Sequence, residues 1–358
     1  MNSSHIPVGS LVRETYTIDS HIASGAFSDV YRVRHRFMGM QAMKVLRDTR
    51  SEEQRAHGLF EAFQLSKISH PAIVRVFDGN YLNPEHGGHA YVTMELIEGG
   101  TLSDLGQAGS RTFASDVLAA ASQLAGALAH AHGLTPAIVH RDIKPSNVLM
   151  NRRDDGVLEV RLADFGLAVP IDPLLGFAAA GGTIVYRAPE SFDGFETQTS
   201  DVYSFGLTLY EAATGVFPFY EAMRQHVPGS QAEFIETLRV AQQGVIAPPS
   251  YFRQAIHPVI DLVIMRCLVF DRAMRIQDGG ALCEAVAAMR LAVSGDDETP
   301  AEVRDSLTLA HDPAKTQEAL DALVKALRDS PRIGPAYVPL IAFLRTEWRR
   351  IKSQGIAL

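Results

Sequence analysis

Ile138-Val139-His140-Arg141-Asp142-Ile143-Lys144-Pro145-Ser146-Asn147-Val148-Leu149 is the stretch on which the reading of this chain turns. His140, Arg141, Asp142, Lys144 and Asn147 crowd into eight residues between apolar runs of strand character. That density of charge is poor sequence for a merely solvated loop. It offers a carboxylate able to accept a hydroxyl proton (Asp142), a cation for a phosphoryl group (Lys144) and an oxygen ligand for Mg2+ (Asn147). Downstream, Leu162-Ala163-Asp164-Phe165-Gly166 adds a carboxylate held by a turn, suited to bridging Mg2+ to phosphates.

Upstream, Ile22-Ala23-Ser24-Gly25-Ala26-Phe27-Ser28-Asp29-Val30 lies between two strand patterns. Small residues let backbone amides approach phosphate oxygens that a larger side chain would block. A plain small-residue hairpin gives the same pattern, and only Gly25 is a glycine. In Ala42-Met43-Lys44 a lysine stands mid-strand among apolar neighbours. A buried ammonium needs an acid and an anion nearby, and Glu61 on the following helix pattern is the available acid.

Around these segments, residues 11–22, 29–36 and 40–46 read as consecutive antiparallel strands, 52–68 as a helix, and 73–77 and 90–96 as strands. After Gly99-Gly100 the texture changes to an Ala/Leu-rich helix over 117–132. Helices then dominate to about 292, apart from a strand-rich passage over 139–162. A strand-rich lobe followed by a helix-rich lobe is an α+β layout with a cleft between the two. Ser294-Gly295-Asp296-Asp297-Glu298-Thr299-Pro300 is the best linker candidate. Beyond it, Ala319, Leu320, Leu323, Val324 and Leu327 share one helical face, and a further helix is expected over 336–351.

Composition narrows the classes. The chain has 358 residues, 46% apolar and 21% charged, which is ordinary globular usage with room for two domains. Lys and Arg number 33 against 41 Asp and Glu, a net charge of -8, which disfavours a broadly cationic nucleic-acid binder. Cys267 and Cys283 lie far apart in apolar stretches and read as buried thiols of a reducing compartment rather than a disulfide or zinc framework. The N-terminus lacks a signal-peptide pattern, and the longest apolar stretch, 259–270, is broken by Asp261 and Arg266. A soluble, cytoplasmic protein without a membrane span is expected.

Taken together, these motifs resemble those of the eukaryotic-type (Hanks-type) serine/threonine protein kinases, in a soluble bacterial form with a C-terminal helical extension. The resemblance covers about residues 11–292 with every landmark in family order. It implies a bilobal kinase fold: a tail over 1–10, a small lobe over 11–95, a large lobe over 96–292, a linker over 293–300 and an extension over 301–358. It implies ATP as phosphoryl donor and Mg2+ (or Mn2+) as metal. His140-Arg141-Asp142 with Asn147 is similar to the catalytic loop, Asp164-Phe165-Gly166 to the metal-binding triplet, and Ala188-Pro189-Glu190 to the end of the activation segment. Lys44 and Glu61 resemble the family's ion pair, with His70-Pro71 supporting that register. Asp142 is then the base with Lys144 beside it, and Asn147 and Asp164 the metal ligands. Ile22, Ala23, Ser24, Gly25, Ala26 and Phe27 form the nucleotide loop. By the same resemblance Val30, Ala42 and Leu149 would sandwich adenine, Met94 would be the gatekeeper, and the Glu95 carbonyl and Ile97 amide the hinge contacts. Asp201 resembles the aspartate that holds the catalytic loop, and Arg275 the partner of Glu190.

Lys144 and Thr183 point to serine/threonine rather than tyrosine acceptors, hence a protein substrate. Two departures matter. Ala23 replaces the first loop glycine, and residues 167–182 contain no serine or threonine. Arg141 in such kinases receives an activation-loop phosphate, so activation here is expected to be independent of ordinary phosphorylation in that loop. Apolar packing of residues 170–177 or a partner would then order the segment; the alternative is that Arg141 simply contacts a nearby acid such as Asp172. A nucleotide-binding scaffold without transfer activity is the alternative reading. The tail resembles one and a half tetratricopeptide-type helices, short of an independent array, and is expected to pack on the kinase or on a regulatory partner. Trp348 beside Arg349 and Arg350 is either a docking anchor or a packed helix end.

Overall fold

The computed structural model describes residues 6–25, 28–46, 68–107, 113–165, 184–225, 230–295, 299–328 and 332–354. The small lobe is one antiparallel sheet of β1 (Leu11–Val12), β2 (Tyr16–Ser24), β3 (Ser28–His35), β4 (Gly39–Leu46), β5 (Val76–Tyr81) and β6 (Ala90–Met94), in the order β1-β2-β3-β4-β6-β5. Alternation of side chains sorts its two faces. Tyr16, Ile18, Tyr31, Val33, Met43, Val45 and Tyr91 form the outer core with Ile6, Val12 and Leu82. Ala42, Val92 and Met94 face the large lobe instead, together with Val74 and Ala163. Register pairs Ala42 with Met94, Lys44 with Val92, and Val30 with Lys44, so Lys44 lies two residues from Ala42 on the cleft side.

The expected strand over 73–77 is corrected. Ile73 forms a parallel bridge with Leu162, and the Val74 amide donates to the Leu162 carbonyl, so these residues tie the lobes together and β5 starts at Val76. The strand-rich passage expected over 139–162 resolves into a loop and a hairpin of β7 (Val148–Arg152) and β8 (Leu158–Leu162). The expected helix over 52–68 lies outside the described residues, apart from Ile68, which is not helical.

Around that hairpin the large lobe packs α1 (Leu102–Gln107), α2 (Phe113–His132), α3 (Gln198–Thr214), α4 (Tyr220–Gln225), α5 (Gln231–Gln243), α6 (Pro249–Phe252), α7 (Pro258–Cys267) and α8 (Gly279–Ser294). Nearly every residue of α3 is buried, which makes it the axis of the lobe. Gly206 lets α7 approach it: a Cβ there would stand 2.7 Å from that of Cys267.

The C-terminal region forms α9 (Ala301–Leu309), α10 (Thr316–Arg328) and α11 (Gly334–Ser353). Val303, Leu307, Ala319, Leu320, Leu323, Tyr337, Leu340, Phe343 and Leu344 join the same apolar core as α2, α3, α7 and α8. Contacts run from α11 to α8 and from α9 to α7. Trp348 is half-buried near the end of α11, with the Lys352 ammonium 4.8 Å from its ring centroid. Among the described residues, no helix is long and apolar enough to cross a membrane.

Where the extension meets α7, burial and the neighbouring Arg266 guanidinium push His311 down to about 4. A histidine whose folded pKa lies below its unfolded value of 6.5 contributes stability that is complete above about pH 6.5 and lost as pH falls toward 4. Between pH 7.5 and 5, His311→Gln is expected to lose about 2 kcal/mol less unfolding free energy than the native chain. Denaturant melts of both proteins at the two pH values check this, and parallel losses would sink it.

Candidate active site

Asp201, in the first turn of α3, is the buried centre of the site's support. Its Oδ2 accepts from the His140 amide at 2.6 Å and lies 3.0 Å from His132 Nε2, while Oδ1 accepts from the Arg141 amide at 2.9 Å. The Gly279 amide donates to His132 Nδ1, so the imidazole presents Nε2–H to the carboxylate. Arg141 has φ 71°, a left-handed conformation costly for a residue with a Cβ, and the Asp201 hydrogen bonds hold it there. His140 is fixed as well: its Nε2 lies 2.9 Å from the Ala163 carbonyl, Nδ1 accepts from the Asp142 amide, and its ring stands edge-on to Phe165 with centroids 4.4 Å apart.

This loop delivers Asp142, Lys144 and Asn147 to one point. Lys144 Nζ donates to Asp142 Oδ2 at 2.8 Å, and Asn147 Nδ2 donates to the same oxygen at 2.9 Å and to the Asp142 carbonyl at 2.8 Å. Those bonds turn the Asn147 amide oxygen away from Asp142. Across the cleft, Lys44 Nζ lies 2.7 Å from Asp164 Oδ1. Burial acts to raise the Asp164 carboxyl, but the charge and hydrogen bond of Lys44, with help from His140 and Lys144, hold it below the usual carboxylate range. Asp164 also has a left-handed backbone, φ 65°. Expected partners that fall outside the described residues are Glu61, Gly166 and everything over 167–183, including Asp172 and Thr183.

For a divalent cation the donors on hand are the Asp164 carboxylate and the Asn147 amide oxygen. Hard oxygen donors of this kind, few in number, fit an ion that keeps water and phosphate oxygens for its other positions. No cluster of three or more His, Cys, Asp or Glu side chains suited to a metal occurs among the described residues, so a self-contained protein cage is not what this site offers.

Val30, Ala42, Met94 and Leu149, named from sequence far apart, converge in one apolar cluster. The same cluster holds Val74, Val76, Leu96 and Ala163, which sequence reading had treated only as strand or loop positions. Glu95 and Ile97 follow β6 in the connection to the large lobe, where the Glu95 amide donates to the Arg75 carbonyl. Gly99 passes so close to the Met150 carbonyl that a Cβ would clash with it. In the loop between β2 and β3, Ile22 is exposed, and the Gly25 amide donates to the Ser28 carbonyl at 2.8 Å. Ser24 Oγ donates to Asp29 Oδ1 at 2.7 Å, joining the two flanking strands. Ala26 and Phe27 lie outside the described residues.

Two further acids organise the stretch from Ile184 onward. Glu190 is buried against Arg275, with Nη1–Oε1 at 2.6 Å and Nη2–Oε2 at 3.1 Å. Glu196, unremarkable in the sequence, lies between two arginines: Oε2 is 3.4 Å from Arg141 Nε and Oε1 is 3.7 Å from Arg187 Nη1. Among the described residues the acid beside Arg141 is Glu196; Asp172 lies outside them.

Residues 16–287 match the family model for the protein kinase domain. The chain is 33% identical over 293 residues to serine/threonine-protein kinase PknA of Mycobacterium tuberculosis, covering 79% of this chain and 63% of that protein. It is 38% identical over 216 residues to PknL of the same organism, covering 58% and 51%. The chain thus spans less than two thirds of the length of these relatives. The solved kinase domain of Mycobacterium tuberculosis PknI superposes with a TM-score of 0.59 at 24% identity, over 80% of this chain and 99% of that one, a likeness of fold. The match over most of its length, joined to the bilobal architecture and the catalytic-loop geometry, makes this chain a member of the protein kinase family.

Proposed function

We propose that the chain is a serine/threonine protein kinase that transfers the γ-phosphoryl group of Mg-ATP to hydroxyls of a protein substrate, with Asp142 as the base. The observation that carries this reading is the network of Asp142, Lys144 and Asn147 opposite the Lys44–Asp164 pair. When bound, Mg-ATP supplies the transferable group and a divalent cation, Mg2+ or Mn2+, that offsets phosphate charge. The chain's own groups do the positioning. Asp142 accepts the hydrogen bond of the acceptor hydroxyl and takes its proton. Lys144, bonded to that carboxylate, holds a positive charge beside the group being transferred. Lys44 binds α- and β-phosphate oxygens, and Asp164 and Asn147 hold the cation. Glu61 is the expected partner of Lys44. The adenine lies between Val30 and Ala42 above and Leu149 below, with Met94 behind it, the Glu95 carbonyl and Ile97 amide at its edge, and residues 22–27 over the phosphates. The free thiols Cys267 and Cys283 accord with a reducing cytoplasm. The domain limits are those read from sequence, with 301–358 as an extension serving the kinase lobes.

Activation without a phosphate on residues 167–182 is part of this proposal. Glu196 supports it, because a carboxylate already stands between Arg141 and Arg187, where an incoming phosphate would otherwise find its cations. A fixed acid of this kind holds the arginines at all times.

Transfer of label from Mg-ATP to a basic acceptor protein tests the reaction. Asp142→Asn should lower kcat at least a hundredfold, in line with the loss of a positioned base, while ATP still raises its melting temperature. Binding without transfer in the native chain would overturn the kinase reading and leave a nucleotide-binding scaffold. For activation, phosphatase-treated native protein should keep its rate, and Glu196→Gln should lose roughly tenfold, the scale of one charge-assisted contact. Silencing by the phosphatase, or a required phosphate on Thr183, would refute the Glu196 assignment.

A further inference from the structure

The family match ends at residue 287, yet an arginine 63 residues later reaches back into the machinery that holds the 184–190 stretch. Arg350, on α11, donates from Nη1 to the Ala273 carbonyl at 2.8 Å and from Nη2 to the Arg275 carbonyl at 2.9 Å. Its own fork is aimed by Glu347 one turn earlier, with Nε–Oε1 at 3.0 Å and Nη2–Oε2 at 2.7 Å. Glu347 is buried and Arg350 is half-buried, so the contact is made largely out of water.

The turn that Arg350 grips has no regular secondary structure of its own beyond local bonds. Among the described residues, the Ala273 and Arg275 carbonyls are hydrogen-bonded only by Arg350 and by Gln277. This turn carries Arg275, which is fully buried and uses its whole guanidinium: Nε to the Val269 carbonyl, Nη1 to Glu190 and the Thr199 carbonyl, Nη2 to Glu190 and the Phe270 carbonyl. Glu190 closes the segment that begins at Ile184, and its Oε1 also accepts from Ser200 Oγ. From the same turn, Arg272 sits over the Phe195 ring at 5.1 Å. One continuous path therefore runs from α11 through the 273–275 turn to the end of the 184–190 segment.

We propose that Arg350 is a positioning residue for the protein-substrate side of the reaction: the extension, through Arg350, sets Arg275, and Arg275 sets residues 184–190. The idea rests on the kinase reading above. On that reading residues 184–190, tied to α3 where Ser204 Oγ donates to the Tyr186 carbonyl, border the acceptor, whereas the nucleotide groups sit on β3, β4, β6 and β7. Loss of the Arg350 fork loosens the acceptor side and leaves the nucleotide side as it is. Lysine supplies the charge but not the two-pronged geometry, so it restores only part of the effect.

The experiment uses the full chain with myelin basic protein as acceptor and follows two independent readouts. In steady-state kinetics, Arg350→Ala should raise KM for the acceptor roughly fivefold with KM for ATP unchanged within a factor of two, and Arg350→Lys should fall between Ala and native. Arg349→Ala, an exposed neighbour on the same helix, should match the native chain. In amide hydrogen exchange, which needs no activity, residues 184–190 and 273–275 should exchange faster in Arg350→Ala while β4 and β6 do not change. A lower melting temperature and kcat with both KM values and the exchange of 184–190 unchanged would overturn the proposal and make the contact a plain stabiliser. If the native chain transfers no phosphate, the kinase reading fails, and the exchange result alone still decides whether Arg350 controls the segment. If Arg350→Ala does not fold, the same two readouts on Arg350→Lys decide.

Discussion

A single carboxylate buried at the start of α3 sets the geometry from which the site is built. An isolated charge at that depth would be prohibitive, and Asp201 is accommodated because everything facing it is a donor. Two consecutive loop amides, those of His140 and Arg141, and the His132 imidazole converge on it, and its place in the first turn of α3 adds the favourable end of the helix dipole. The same bonds solve a second problem. Arg141 must take a left-handed backbone to bring the next residue, Asp142, round toward the cleft, and that conformation persists only where the surroundings over-determine it. With His132 locked by the Gly279 amide, α2, α3 and α8 all meet at one charge, and the loop hangs from their junction.

Glu190 and Arg275 form a second buried clamp with a different character. A buried ion pair contributes little net stability over an apolar replacement, but breaking it leaves an uncompensated charge, so its effect is on specificity of arrangement. Here every donor of the guanidinium is used, and the Tyr203 ring lies 4.8 Å away on its face. Asp201 orients the loop that carries the base, and Arg275 orients the stretch that follows it in the cleft. The two anchors share α3: one sits on it, and the other bonds to Glu190 and to the Thr199 carbonyl beside it.

What could be read in the sequence follows from how far apart the interacting groups lie. The small-lobe strands were legible because their burial alternates locally, as in β3, where Asp29, Tyr31 and Val33 turn inward. The catalytic loop was legible because its chemistry is concentrated in eight residues. Ile73 was misread as a strand of the small lobe because its partner, Leu162, lies far along the chain, and no local pattern distinguishes a strand residue from a bridge between lobes. Glu196 was invisible for the same reason: a lone acid after Phe195 is unremarkable until Arg141 and Arg187 are seen on either side. The apolar stripes of α10 and α11 announced buried faces, yet a stripe says only that something covers it. The structure supplies the cover: α10 packs against α9 and α11, and α11 against α8 of the large lobe.

That shared core alters how the extension should be understood. Its seam with α7 is not a simple apolar joint, because Arg266 is buried there, donating to Thr316 Oγ1 while its Nε and Nη2 have no hydrogen-bond partner among the described residues. Burial pushes its guanidinium down to about 10, with Arg350 acting in the same direction and Glu347 and Asp312 opposing. Glu347 thus sits between two guanidiniums, bonded to Arg350 and attracting Arg266, while His311 must remain neutral beside them. A cluster with this charge balance is sensitive to any displacement of α11, since moving Glu347 strands Arg266 and releases Arg350 in the same step. The extension and the 273–275 turn therefore share charged groups as well as shape: Glu347 bonds the Arg350 that grips the turn and attracts the Arg266 buried at the α7 seam.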